Sequence, residues 1–255
     1  MKMKAMYYVA MMVAAAVLLV TGMPVCANEM DDRIESSFKK SHVFTTYLKD
    51  DDIKIKSEDG AVTLKGTVAE EYHKSLAHDT VASLPGVKNV DNRLEVKGEH
   101  PAEMSDAWIT AKVKTTLLFH RSVSAMTEVS TKEGNVILRG EADNQAQKDL
   151  TTEYVKDIEG VKDVNNEMTV PKTSKMTPTV GETIDDASIT AQVKMTLLFH
   201  RSTSAVNTKV DTNKGVVMLG GKAKNMAEKD LVTKLVEDVK GVKSVKNMMT
   251  VDESK

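Results

Sequence analysis

The chain has 255 residues, of which 35 are lysine or arginine and 37 are aspartate or glutamate, giving a formal net charge of −2 at pH 7. This near balance excludes the strong global attraction to nucleic acid or to an anionic membrane that a basic protein would have. The single cysteine excludes a framework of disulfides.

The N-terminus has the features of a secretory signal peptide. Lys2 and Lys4 form a basic start, and residues 6–20 are almost uninterruptedly apolar. This stretch is shorter than the ~20 residues that a membrane-spanning helix needs. We therefore predict export, with cleavage after Ala27. Cys26 offers an alternative, as the lipidated cysteine of a bacterial lipoprotein, although the residues before it fit that pattern poorly.

Three tandem repeats follow the signal peptide. A phrase of the form Gly-Val-Lys-x-Val-x-Asn begins at Gly86, Gly160 and Gly241, at spacings of 74 and 81 residues. We predict a signal peptide in residues 1–27 and small domains in residues 28–98, 105–170 and 185–255, with linkers in residues 99–104 and 171–184. The second linker is rich in Pro, Thr and Ser, which predicts a flexible connection and a third domain that moves independently.

Each repeat shows the same order of patterns. In the second repeat, Ile109, Val113 and Leu117 recur every four residues, as on one face of a helix. Two short alternating strands joined by a Gly-containing turn come next, then an amphipathic helix ending at a glycine, then a last strand. We therefore predict an α+β protein in which each domain runs helix, strand, strand, helix, strand, with two helices packed on one face of a three-stranded sheet.

This plan resembles the BON-domain family. The resemblance rests on the order of elements, the glycine after the second strand and the closing Gly-Val-x-x-Val-x-Asn, and it covers residues 29–251. Residues 106–114 and 188–194 are the most family-like openings, whereas residues 33–38 depart from the pattern. The resemblance implies a non-enzymatic periplasmic protein that contacts phospholipid and protects the cell envelope under osmotic stress. The alternative is an adaptor or scaffold that binds another envelope protein.

Trp108 is the main candidate contact with lipid. It is the only tryptophan, and its counterparts in the other repeats are Arg33 and Ser188, which indicates a solvent-facing position suited to an interfacial anchor. The alternative is that it packs on the linker or on a neighbouring repeat. With nearby basic residues, the predicted lipid-binding set is Trp108, Lys112, Arg121, Lys194 and Arg201.

The segment Leu-Leu-Phe-His-Arg-Ser occurs at residues 117–122 and again at residues 197–202. In one interpretation, His and Arg lie beside exposed Leu and Phe in a lipid headgroup layer. In the other, Phe closes the core while His and Arg meet the negative end of the helix dipole. Both interpretations predict the repetition, so it does not decide between them.

The third repeat alone is basic, with 12 basic and 9 acidic residues, against 11 and 14 in the first and 8 and 11 in the second. Its lysines form either one face for phosphates, with Lys222 and Lys224 opening the second helix, or an ordinary solvated face. His73 and His78 are five residues apart and indicate surface histidines rather than a metal pair. Nucleotide-binding and nucleophile motifs are missing from the sequence. We expect no enzyme activity, cofactor, metal, nucleic acid or small-molecule substrate, and we expect the partner to be an anionic phospholipid surface or an envelope protein.

Overall fold

The computed structural model describes residues 23–98, 101–123, 127–171, 183–203 and 205–251. Most of the predicted signal peptide and nearly all of the predicted linker in residues 171–184 lie outside the described residues.

The first domain has its first helix in two pieces. Ser41 interrupts it, and its side chain accepts a hydrogen bond from the Phe44 N–H, which caps the second piece. The elements are α1 (Met23–Lys40), α2 (His42–Thr46), β1 (Asp52–Glu58), β2 (Ala61–Val68), α3 (Glu71–Ala82) and β3 (Asn89–Val96).

The second and third domains each begin with an uninterrupted helix. The second contains α4 (Asp106–Phe119), β4 (Glu128–Lys132), β5 (Asn135–Arg139), α5 (Gln145–Lys156) and β6 (Asp163–Asn166). The third contains α6 (Asp186–Phe199), a 3₁₀ turn (Ala205–Asn207), β7 (Thr208–Asn213), β8 (Val216–Ala223), α7 (Met226–Glu237), β9 (Ser244–Asn247) and β10 (Thr250–Val251).

The three sheets share one topology. In each, the middle strand pairs antiparallel with the strand before it and parallel with the strand after it, as in the order β1-β2-β3. The antiparallel pair needs only a tight turn, whereas the parallel pair requires the crossover that the second helix of the domain provides. In the third domain, β9 and β10 both pair with β8. The predicted α+β architecture of three tandem domains is confirmed.

An aspartate of the first helix fixes the hairpin turn in every domain. The carboxylate of Asp106 accepts hydrogen bonds from the backbone N–H groups of Glu133 and Gly134, at 2.7 and 2.9 Å. Gly134 has a φ of +83°, which an L-residue with a side chain rarely adopts. Asp31 and Asp186 bind the corresponding turns of their own domains. Helix and hairpin are therefore tied together independently of the core.

The three domains pack against one another. Ala187, Ala191 and Met195 of α6 are buried in the core cluster of the first domain, which also takes in Phe119 from the second. Most of α6 is buried, as expected for a helix with neighbours on more than one side. The prediction of an independently moving third domain is therefore wrong, because its first helix is a shared structural element.

Candidate functional site

Trp108 lies in the first turn of α4, half-buried at the edge of the second domain's core. The ammonium group of Lys112, one turn further on, lies 3.8 Å from the centroid of the indole ring, within cation–π range. The same ammonium group lies 3.2 Å from a carboxylate oxygen of Glu159. It also lies 5.5 Å from the centroid of the Phe199 ring, so the pair contacts the third domain as well.

Trp108 and Lys112 line an open groove of about 620 Å³ between the three domains. Its apolar wall includes Leu198, which is 53% exposed, and Phe199. The remaining lining residues are Ala69, Glu70, Glu71, Tyr72, Ser75, Val96, Lys97, Pro101, Glu103, Ala111, Thr115 and Met195. The structure therefore places Trp108 beside the linker and a neighbouring domain, as the alternative interpretation of this residue had it.

Lys194, another predicted lipid contact, connects two domains. Its ammonium group lies 3.3 Å from a carboxylate oxygen of Asp79 on α3 of the first domain, and the side chain is one-third exposed. Nearby, the His42 N–H donates to Asp185 and the Val43 N–H donates to the Ser188 hydroxyl. The counterpart of Trp108 in the third domain, Ser188, is therefore buried between domains.

Arg121 and Arg201, the remaining two predicted contacts, lie in one quasi-symmetric interface. The guanidinium of Arg121 donates to the Val242 carbonyl at 3.1 Å, and that of Arg201 donates to the Lys156 carbonyl at 2.5 Å. Their backbone N–H groups donate to the carbonyls of Asp238 and Asp157, at 2.9 and 3.0 Å. Each arginine thus contacts the end of the second helix of the other domain.

The neighbouring histidines complete this interface. Nδ1 of His120 lies 3.1 Å from a carboxylate oxygen of Asp238, and Nδ1 of His200 lies 3.0 Å from one of Asp157. The hydroxyls of Ser122 and Ser202 donate to the same two carboxylates. We call these two reciprocal sets of contacts the clasp: residues 120–122 with Asp238, and residues 200–202 with Asp157. Neither interpretation of the repeated segment anticipated that it joins two domains.

The aspartates of the clasp occupy positions that a helix alone disfavours. Each is the C-cap of a second helix, where the helix dipole repels a negative charge. Burial raises the pKa of Asp238, but hydrogen bonds from His120 and Ser122 outweigh it and hold the pKa below its ordinary value. The pKa of Asp157 is lowered in the same way against its own burial, by His200 and Ser202. The partner domain therefore supplies what keeps both carboxylates charged.

Tyr154 makes the two halves of the clasp unequal. Its ring stacks on His120 at 4.1 Å between centroids, and its hydroxyl donates to Asp238 at 2.9 Å. Burial, together with the charge of Asp238, raises the pKa of this phenol above its ordinary value. The corresponding position in the third domain is Leu235, so Asp157 lacks an equivalent donor.

The outer face of the third sheet carries more basic than acidic side chains. Lys209 pairs with Gly220, and Met218 pairs with Lys246, all on the side of the sheet away from the helices. Lys222 lies at the end of β8, so the prediction that it opens the second helix is wrong. We call this surface the third-sheet face: Lys209, Asp211, Met218, Gly220, Lys222, Lys246 and Met248.

Acidic side chains do little to neutralise the third-sheet face. Within residues 185–251, seven lysines are exposed but only three acidic residues are, because the other carboxylates are engaged in caps, turns or the clasp. In the second domain, Glu128, Glu141 and Glu167 occupy the positions of Lys209, Lys222 and Met248. Met248 is 64% exposed and adds an apolar group among the lysines. The third domain therefore presents a surface that the second does not.

His73 forms a histidine–aspartate pair within the first domain. His73 is largely buried, with Nδ1 2.6 Å from Asp51, so its prediction as a surface residue is wrong. Among the described residues, no group of three or more potential metal ligands comes together. Nor does any helix in the described ranges combine the length and apolarity needed to cross a bilayer.

Comparisons with known proteins agree with this architecture. The family model described as "BON domain" matches residues 30–98, 105–172 and 185–253. Osmotically-inducible protein Y of Escherichia coli is 33% identical over 191 residues, covering 73% of this chain and 91% of its own length. Outer membrane lipoprotein DolP of Haemophilus influenzae is 29% identical over 188 residues, covering 72% of this chain and 88% of its own.

Among solved structures, CdsD of the Chlamydia trachomatis type III secretion system is 16% identical and covers 86% of this chain and 92% of its own. The TM-score of 0.23 is too low to support any inference about fold. The family assignment rests on the three matches of the domain model and on the relatives of similar length. The chain belongs to the BON-domain family and carries three tandem copies of the domain.

Proposed function

We propose that this chain is a non-enzymatic protein of the cell envelope that associates peripherally with anionic phospholipid and supports the envelope under osmotic stress. The names of the two relatives, one osmotically inducible and one an outer membrane lipoprotein, support the setting. The predicted signal peptide supports export, with a periplasmic location.

The third-sheet face carries this proposal. Three lysines surround Met218 and Met248 on a surface that is not covered by either helix of its domain. Each basic residue near an anionic membrane contributes about 1 kcal/mol, and this contribution falls with salt. Three lysines with partly exposed methionines give weak, reversible and salt-sensitive binding, as expected of a peripheral protein.

The five residues selected from the sequence have intramolecular contacts that compete with a lipid role. Lys112 is paired with Glu159, Lys194 with Asp79, and both arginines lie in the clasp. Trp108 and Lys112 line an open surface, the groove, and of these two only Lys112 is engaged in an ion pair. A lipid contact at Trp108 remains part of the proposal, and it is tested separately from the third-sheet face.

The test is co-sedimentation of residues 28–255 with vesicles of phosphatidylcholine, with and without phosphatidylglycerol, at low and high salt. The double variant Lys222→Glu/Lys246→Glu should lose most of the binding to anionic vesicles. The matched control is Lys54→Glu/Lys65→Glu, which changes two paired, exposed lysines on the outer face of the first sheet and alters the net charge equally.

Equal loss in both double variants would show that only net charge matters and would refute the assignment to the third-sheet face. No salt-sensitive binding of the unaltered protein would refute the lipid proposal itself. Trp108→Ala, measured alongside, reports whether the groove adds to the binding.

The groove favours a second candidate function, that of an adaptor for another envelope protein. It is apolar at Trp108, Leu198 and Phe199, and its charged rim holds Glu70, Glu71 and Glu103 against Lys97 and Lys112. This slight acidic excess suits a basic amphipathic segment better than an anionic headgroup. Cross-linking in a lipid-free periplasmic extract should then yield an adduct that Leu198→Glu removes. Met226→Glu, at a 57% exposed position away from the groove lining, is the control and should retain the adduct.

A further inference from the structure

The centre of the clasp contains two buried histidines in contact with each other. His120 is fully buried and His200 is 2% exposed, and their rings meet edge to face with centroids 5.7 Å apart. Each Nδ1 faces a carboxylate of the other domain, as described above. The two Nε2 atoms are buried, and neither has a hydrogen-bond partner in the described part of the chain. A proton added at Nε2 of His120 would therefore enter a site without an acceptor.

The charged and titratable groups around the histidines come from both domains. Asp238 faces His120, Asp157 faces His200, and the Tyr154 ring contacts both histidines. Arg121 lies 3.9 Å from the Asp238 carboxylate, and Arg201 lies 3.7 Å from that of Asp157. Lys240 adds a further positive charge near His120. The two carboxylates are thus already matched by two arginines, so a proton on His120 would leave the interface with excess positive charge.

From this geometry we infer that the clasp is a pH-sensitive latch: it holds the second and third domains together while His120 is neutral, and it releases them when His120 takes up a proton. The physical basis is the burial of the His120 imidazole against a second imidazole, with its Nε2 atom left without an acceptor. When the latch opens, the His120 imidazole reaches water and can be protonated without that cost.

The direction of the pH effect follows from linkage. Burial lowers the pKa of His120, the hydrogen bond to Asp238 opposes this, and the net result lies below the ordinary value of 6.5. A group whose pKa is depressed in the closed state is protonated more readily in the open state. The closed state is therefore favoured above about pH 6.5 and loses stability as the pH falls below it. Both aspartates have pKa values below 3.8, so they remain ionised throughout this range.

Opening the latch has a built-in reporter. It breaks the backbone hydrogen bonds from Arg121 and Arg201, and it separates α4 from α6, both of which line the groove. Trp108 lies in that groove and is the only tryptophan. Its emission should shift to the red as the groove opens to water.

The experiment measures Trp108 emission and the small-angle X-ray radius of gyration of residues 28–255 between pH 7.5 and 5.0. For each proton taken up on opening, the ratio of closed to open protein should fall tenfold per pH unit below the onset. The double variant His120→Asn/His200→Asn keeps a donor near each carboxylate but cannot titrate, so its signals should not change with pH. The control is His73→Asn, which alters a histidine–aspartate pair within the first domain and should leave the response intact.

A response that persists in the double variant, or that disappears with His73→Asn, would overturn the inference. If the double variant does not close at any pH, NMR titration of the unaltered protein decides instead. A pKa for His120 below 6.5 in the closed protein supports the latch, and a value of 6.5 or above overturns it.

Discussion

Replacing Phe119 by alanine should uncouple the domains without unfolding them. Phe119 is the last residue of α4, yet its fully buried ring packs into the core cluster of the first domain, 5.4 Å from Tyr47 between ring centroids. Truncating a buried phenylalanine costs about 3–5 kcal/mol, because transfer free energy is lost and a cavity remains. Because the ring packs between domains, we expect the lost free energy to weaken the association of the domains.

Urea unfolding is monitored through the emission of Trp108, and the radius of gyration is measured in the absence of urea. Leu138→Ala is the matched control, because this fully buried leucine lies only in the core of the second domain. Both variants should be destabilised by several kcal/mol, roughly 2–5 on the general scale for such truncations. Only Phe119→Ala should expand the protein before unfolding begins. The reasoning would be refuted if Phe119→Ala had the radius of gyration of the unaltered protein and its free energy of unfolding fell by less than about 1 kcal/mol.

Three further predictions follow from individual contacts. Asp238→Asn should lower the free energy of unfolding, measured in urea at pH 7, by about 3 kcal/mol. The loss in Asp157→Asn should be smaller by about 1 kcal/mol, because only Asp238 also accepts a hydrogen bond from Tyr154. Equal losses in the two variants would contradict this. Gly221→Ala should prevent the third sheet from forming, as seen by circular dichroism, since the new Cβ would lie 1.8 Å from the Asn207 carbonyl oxygen. In Gly98→Ala the new Cβ meets no described atom within 4 Å beyond its chain neighbours, so this variant should cost about 1–2 kcal/mol from its positive φ alone. Lys194→Ala should change stability by less than about 1 kcal/mol, because its pair with Asp79 is partly exposed; a larger loss would show that this pair anchors the third domain.

The architecture within each domain could be predicted because it depends on local patterns. The spacing of Ile109, Val113 and Leu117 and the glycine turns follow from helix and hairpin geometry over a few residues. The break at Ser41 in the first helix was missed, since no proline or glycine marks it. The contacts between the aspartates and the turns could not be predicted, because the partners lie 27 to 29 residues apart.

The packing between domains could not be predicted from those patterns, although one signal was present. Asp157 and Asp238 stand at helix ends where a negative charge is unfavourable, and Ser83 takes that position in the repeat that lacks the Leu-Leu-Phe-His-Arg-Ser segment. A locally unfavourable residue that appears only together with a particular segment indicates a contact between the two. Sequence reasoning instead considered each repeat alone.

The reciprocity of the clasp has a consequence for truncated forms of the protein. The second domain carries both a donor end, residues 120–122, and an acceptor, Asp157, although it uses them on different parts of the third domain. If a protease cut the chain between these domains and the third were lost, the second would be left with two vacant and mutually complementary halves. In a pair of fragments related by a two-fold rotation, residues 120–122 of each fragment would meet Asp157 of the other. Shortening the chain should therefore turn an internal contact into a concentration-dependent association between molecules.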